Sequence, residues 1–256
     1  MNKHIIKVNQ EKCIGCAMCQ KDCPSINIEM SNKKALIKTQ TCIMCGHCVA
    51  VCPKNAISIS GYEEEPLEIE KIVTLNNEEL LQAIKMRRSV RQFKNKEVQK
   101  EVIEKIIEAG RFTPTGSNAQ DVSYIVLKDN LLVAEKIAVK FFKRLIPVAK
   151  MFSQVAKKAI IDDHFFFKGA PIAILVLSKD ELNAGLAASN MELMAQAQGL
   201  GVLYSGFFAL VAKYSLKLRK LLKIKKKKVV TVLVLGYPNV KYHRTVQKEK
   251  ANISYY

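Results

Sequence analysis

All eight cysteines of the 256-residue chain fall between positions 13 and 52, in one pattern written twice. Cys13, Cys16, Cys19 and Cys23 are followed by Pro24, and Cys42, Cys45, Cys48 and Cys52 by Pro53, at a constant offset of 29 residues. Three thiols at i, i+3 and i+6 curl one loop around three corners of an iron-sulfur cube and leave the fourth corner to a more distant residue. Zinc and disulfides are the rival readings. Structural zinc normally uses paired C-x2-C units with a longer spacer. A disulfide framework needs an oxidising compartment, and the N-terminal "MNKHIIKVNQEKC" has neither the apolar core nor the small-residue cleavage site of a secretory signal. His47 sits inside "CGHC", but four thiolates fill such a cage, so an outer-shell or surface place suits it better. After each Cys-Pro comes a short alternating apolar stretch, "INI" at 26–28 and "AISIS" at 56–60. The duplication thus repeats a strand-like element as well as the thiols.

Residues 1–60 resemble the bacterial two-cluster ferredoxins, in which the cysteine before proline ligates the other cluster. The resemblance implies two 4Fe-4S clusters in one small pseudo-twofold domain. One would be held by Cys13, Cys16, Cys19 and Cys52, the other by Cys42, Cys45, Cys48 and Cys23.

A second constellation begins at "RRSVRQF", residues 87–93. Arg87, Arg88, Ser89 and Arg91 could surround a phosphate, because guanidinium offers planar, charge-assisted donor pairs and serine adds a hydroxyl. "TPTGSNAQ" at 113–120 is a loop with Thr115, Ser117, Asn118 and Gln120 as polar groups. It suits the edge of a heterocycle or a ribityl chain, and is equally an ordinary turn. "GLGVLYSGF" at 199–207 breaks a helix into a strand and offers Gly206 for close approach of backbone to a ring; "GYPNVKYHR" at 236–244 brings in a late arginine, Arg244.

Taken in this order, the set resembles the FMN-dependent nitroreductase family over about residues 76–256. The resemblance implies that Arg87, Arg88, Ser89, Arg91 and Arg244 hold the FMN phosphate and neighbouring chain. Pro114, Thr115 and Asn118 would meet the flavin, and the backbone at Tyr204, Ser205 and Gly206 would face its ring. It also implies a homodimer with flavin at the subunit interface. Three departures stand out: Gln120 is followed by Asp121-Val122 where the family often continues Pro-Trp, the chain has no tryptophan, and Tyr242 replaces the first member of the late basic pair.

The elements that must position these residues read as α+β: a nitroreductase-like layered domain behind a small ferredoxin-like one. "GYEEEPLEIE" concentrates Gly, Pro and acid, which marks 61–75 as a linker between a domain at 1–60 and one at 76–256. Helices are expected at 76–88 with an Asn-rich cap, at 97–109 with Gly110 as its stop, and near 131–143, 184–198 and 213–223. The small-residue helix at 184–198 would allow close packing. Strands are expected at 122–127, 171–177 and 229–235. In the 213–223 helix, Tyr214, Leu218, Leu221 and Leu222 would face inward and the lysines outward.

With 49% hydrophobic residues the chain can bury a sizeable core. Its longest apolar runs, "PIAILVL" and "VVTVLVL", are far below the ~18 residues of a membrane span, so a cytoplasmic protein away from membranes is expected. The formal charge is +18, part of which cluster-bound thiolates would cancel. Neither aromatic interleaving nor a recognised module accompanies the lysine run at 225–228, so nucleic acid is a poor partner. A solvated helix face explains that segment, and an acidic redox partner is its sharper reading. No G-x-G-x-x-G occurs, which argues against a Rossmann nicotinamide site.

The combined resemblance implies an iron-sulfur flavoprotein oxidoreductase. Electrons from a low-potential donor, such as ferredoxin or flavodoxin, would pass through the clusters to FMN and on to a nitroaromatic, quinone or activated alkene. The rival is an electron carrier or redox sensor with no small-molecule turnover of its own.

Overall fold

A computed structural model describes residues 4–152 and 154–256. The chain forms two compact units, Met1–Thr74 with Thr115–Ala119, and Leu75–Pro114 with Gln120–Tyr256.

The first unit runs β1 (Ile6–Val8), α1 (Met18–Lys21), β2 (Ile28–Ser31), β3 (Lys34–Ile37), α2 (His47–Ala50) and β4 (Ile57–Ile59). β1 pairs antiparallel with β4 and β2 with β3. The duplication is visible in the backbone, because left-handed residues recur at the sequence offset: Gly15 and Met44, Ala17 and Gly46, Ile26 and Asn55. Each four-residue helix therefore starts from a left-handed N-cap, Ala17 or Gly46. Ile6, Ile28, Ala35, Ile57, Cys19 and Cys48 form the buried centre.

The second unit contains α3 (Asn77–Met86), α4 (Lys100–Arg111), β5 (Ser123–Leu127), α5 (Leu131–Phe152), α6 (Gln154–Lys158), β6 (Ile172–Ser178), α7 (Glu181–Ala197), β7 (Gly201–Tyr204), α8 (Gly206–Tyr214), α9 (Leu216–Leu221) and β8 (Lys228–Gly236). Its antiparallel sheet has the order β5-β6-β8-β7. The expected apolar strands run continuously because both faces of the sheet are covered. Ile172, Ile174, Val176, Leu233 and Leu235 pack with α4 and α7, while Ala173, Leu175, Leu177, Val232 and Val234 pack with α5, α8 and α9. The fold is α+β.

Several local expectations change. The cap of α3 is present, with the Asn76 side chain accepting from the amides of Glu78 and Glu79 at 3.0 Å. Gly110 does not stop α4; it is buried inside the helix, where a Cβ would lie 2.6 Å from the Tyr124 hydroxyl and 2.9 Å from Met191 Sδ. Close contact between α4 and α7 is what requires glycine there. The helix expected at 213–223 is two helices, split at Ser215, whose hydroxyl accepts from the Leu218 amide at 3.3 Å. Leu218 and Leu222 are buried as expected, but Tyr214 is 58% exposed because the break turns it out.

Asp121 clips the start of β5 to the end of β6 and to α7. One carboxylate oxygen accepts from Ser178 Oγ at 2.6 Å and the Lys179 amide at 2.9 Å, the other from Asn183 Nδ2 at 3.0 Å. These bonds, led by the one from Ser178, hold its pKa down to about 2. A folded pKa below the unfolded one gives stability that is complete above the unfolded value and lost as pH falls through the folded one. Asp121→Asn should therefore cost about 1–3 kcal/mol near neutrality. In denaturant titrations, the gap to wild type should close between about pH 5 and pH 2.

Candidate functional site

The fold gathers the eight cysteines into two crossed sets. Cys42, Cys45 and Cys48 line one small cavity together with Cys23, and Cys13, Cys16 and Cys19 line another together with Cys52. Each cavity thus takes three thiols from one repeat and the fourth from the other. Among the described residues no group of three His, Cys, Asp or Glu is arranged to hold a single metal ion. Four sulfurs at about 2.3 Å from one zinc would meet nearly at a point; here they line the walls of a cavity, which suits a polyatomic cluster.

Backbone amides are aimed at the sulfurs. The amide of Asn27 donates to Cys23 Sγ at 3.4 Å and that of Ala56 to Cys52 Sγ at 3.3 Å, the same bond in each repeat. The Ala35 amide donates to Cys13 Sγ at 3.5 Å and leads the causes that lower that thiol's pKa. Burial acts the other way at Cys19 and at Cys48, whose thiol is pushed up to about 11. Such buried thiols ionise when a strongly positive group takes the proton's place. The donor set fits iron-sulfur clusters. His47 lines the cavity wall and reaches outward to Asp22 Oδ2 at 3.2 Å, both side chains about half exposed.

In the second unit the arginine segment is laid along the edge of the sheet. Ser89 forms a parallel bridge with Val202, and the Val90 amide donates to the Val202 carbonyl at 3.0 Å. Gly201 permits this approach, since a Cβ there would lie 2.5 Å from Val90 Cγ2. Two residues beyond Val202 come Tyr204, Ser205 and Gly206, which turn β7 into α8. A Cβ on Gly206 would meet nothing within 4 Å, so open space lies beside the backbone there. The start of α8 also supplies amides without intrahelical partners.

The late arginine is returned to the same place. The Lys94 amide donates to Tyr237 O and the Asn239 amide to Gln92 O, both at 2.8 Å, and Tyr242 Oη donates to Ser89 O at 3.3 Å. Arg244 then lines a cavity of about 450 Å³ beside Lys85 and Met86. Arg87, Arg88, Ser89, Pro114, Tyr204, Ser205, Gly206, Arg91 and Arg244 all belong to the second unit. Thr115 and Asn118 group with the first, where Asn118 Nδ2 donates to the carbonyls of Ile43 and Met44 at 3.1 and 2.9 Å.

Sequence reasoning missed Glu192. Its carboxylate holds Arg87 Nη1 at 2.5 Å, and it is the one acid of α7 beyond the first turn. A lone charge on an Ala-rich helix was the signal available.

Residues 84–237 match the Nitroreductase family and residues 5–53 the 4Fe-4S dicluster domain. The chain belongs to the nitroreductase family. The chain is 27% identical over 170 residues to a protein of Methanothermobacter thermautotrophicus named putative NADH dehydrogenase/NAD(P)H nitroreductase, covering 62% of this chain and 78% of that one. A protein of the same name from Archaeoglobus fulgidus is 28% identical, covering 63% and 86%. In fold, the chain is similar to a Desulfitobacterium hafniense nitroreductase solved with bound FMN, at TM-score 0.57, 23% identity and coverage of 71% of this chain and all of that one. Among the described residues no helix is long and apolar enough to cross a membrane.

The tight crossing at Gly201 gives a direct test of the geometry. Gly201→Ala should force the arginine segment off β7 and cost about 1–3 kcal/mol in thermal or chemical denaturation. Gly206→Ala, with open space before it, should cost no more than about 1 kcal/mol.

Proposed function

We propose that the protein is an iron-sulfur FMN oxidoreductase, with one 4Fe-4S cluster on Cys13, Cys16, Cys19 and Cys52 and a second on Cys42, Cys45, Cys48 and Cys23. The carrying observation is the crossed grouping of these thiols, in a chain whose other unit sets an arginine segment against an open strand-to-helix turn. FMN in the D. hafniense structure supports the same cofactor here. Arg87, Arg88, Ser89, Arg91 and Arg244 bind its phosphate end, with Pro114, Thr115 and Asn118 as further contacts. The backbone at Tyr204, Ser205 and Gly206 supports the ring.

Bound FMN supplies conversion between one-electron and two-electron transfer and a hydride donor for an electron-poor acceptor such as a nitroaromatic, quinone or activated alkene. The chain's part is to bind and orient. The arginines neutralise phosphate, and main-chain amides near Gly206 stabilise negative charge on the ring. Burial first, and then the Glu192 carboxylate, hold the Tyr204 phenol well above the usual range, so it stays protonated near neutrality.

Clusters held by these thiols would take up single electrons from a low-potential carrier protein such as ferredoxin or flavodoxin. A second copy of the chain completes the molecule. The amphipathic α3 has no buried residue, with Leu80, Leu81 and Ile84 between 38% and 45% exposed, which supports a homodimer.

Anaerobically purified protein should show bleachable flavin and cluster absorbance. Cys52→Ser and Cys23→Ser should each remove roughly half of the iron and sulfide, and the double variant nearly all of it. Equal zinc in place of iron, or iron-loaded protein that takes up no FMN, contradicts the reading. NAD(P)H that reduces the flavin rapidly in the cluster-free variant would make the clusters unnecessary for electron entry.

A further inference from the structure

One carboxylate joins the two ends of the site in the second unit. Arg87 follows α3, Tyr204 ends β7, and Glu192 stands between them on α7. Arg87 Nη1 donates to Glu192 Oε2 at 2.5 Å, and Tyr204 Oη lies 3.1 Å from that same oxygen and 3.1 Å from the Ala188 carbonyl. The hydroxyl's single proton serves one acceptor at a time. The pair is drawn in from solvent, with the Glu192 side chain 13% and the Arg87 side chain 29% exposed. Among the described residues, Arg87 alone of Arg87, Arg88, Arg91 and Arg244 has a carboxylate partner, and Arg91 instead donates to the Ser89 carbonyl.

That difference separates two jobs. A guanidinium has five N–H donors in a rigid plane, so an ion pair through one nitrogen fixes the plane and leaves other donors to a second anion. Much of the charge of Arg87 is neutralised by Glu192; its orientation is what remains of use. Arg88, Arg91 and Arg244 keep their charge. We infer that Glu192 is a positioning residue for flavin-phosphate recognition: by holding Arg87 and Tyr204 on one oxygen, it sets the arginine's unused edge at a fixed place relative to the end of β7. This rests on the FMN reading and adds to it the residue that determines preference for the phosphorylated flavin.

Riboflavin and FMN differ only in the phosphate, so the pair separates positioning from general support of the fold. Cluster-loaded protein stripped of flavin is titrated with each by fluorescence quenching. Glu192→Ala should weaken FMN by about ten- to hundredfold and leave riboflavin within about twofold, because a charge-assisted contact is what is lost. Glu192→Gln keeps the shape and an acceptor oxygen and should recover part of the FMN affinity; it also carries the comparison alone if the alanine variant does not fold. Tyr204→Phe should move FMN less than Glu192→Ala does. Equal losses for both flavins, or no loss for either, would overturn the assignment. Wild-type protein that binds neither flavin would instead remove the FMN reading on which it stands.

Discussion

Each thiol-lined cavity takes its fourth cysteine from the opposite repeat, so neither half of the first unit completes a set of four without the other. That requirement brings β1 against β4 and β2 against β3, and places both short helices over one small core. The backbone meets it with left-handed residues, of which Ala17, Ile26, Met44 and Asn55 are not glycine. Such positions cost of order 1 kcal/mol or more each. Two two-stranded ladders and a few buried aliphatic side chains are a thin source of stability. On the proposed reading, metal binding offsets the strain, since ligation energy at a site absent from the unfolded chain is folding energy.

The second unit solves a different problem by opposite means. Its sheet is buried on both faces, and the alternation of β6 and β8 sends neighbouring side chains into separate cores. A scaffold packed in this way can hold an irregular segment at its edge. The Ser89–Val202 bridge, the return of Tyr242 to Ser89 and the Glu192 ion pair are three independent ties on the arginine segment. Tyr242, which stands where the family's late pair would have a basic residue, keeps the tail in place through its hydroxyl. The departure removes a charge and retains an attachment.

The parts legible in the sequence are those in which one residue type at fixed spacing has few other uses. Four thiols per repeat before proline specify a cage, and apolar runs of seven residues specify strands covered on both sides. What was hidden depends on partners far apart in the chain. Nothing near Asp121 announces Ser178 and Asn183, and nothing near Arg87 announces Glu192, 105 residues away. Gly110 reads as a stop because glycine commonly ends helices; its actual cause is the Tyr124 hydroxyl and Met191 pressing on α4. The split at Ser215 was obscured by a continuous apolar stripe, which two short helices satisfy as well as one.

The basic run between Lys213 and Lys228 shows why a charge count says less than the placement of each charge. Nine lysines and arginines occur there without one acid, a composition that invites an anionic partner. Yet Arg219 donates to the carbonyls of Ala212, Ile224 and Lys225, and Lys227 donates to the Asp121 carbonyl at 2.7 Å. Arg219 satisfies carbonyls where α8 and α9 end, as basic groups near helix C-termini do, and Lys227 satisfies one just before β5. Lys228 lies 3.9 Å from Glu181. Part of the positive excess therefore serves the chain's own backbone, and the function follows from the thiol cradles and the arginine segment rather than from net charge.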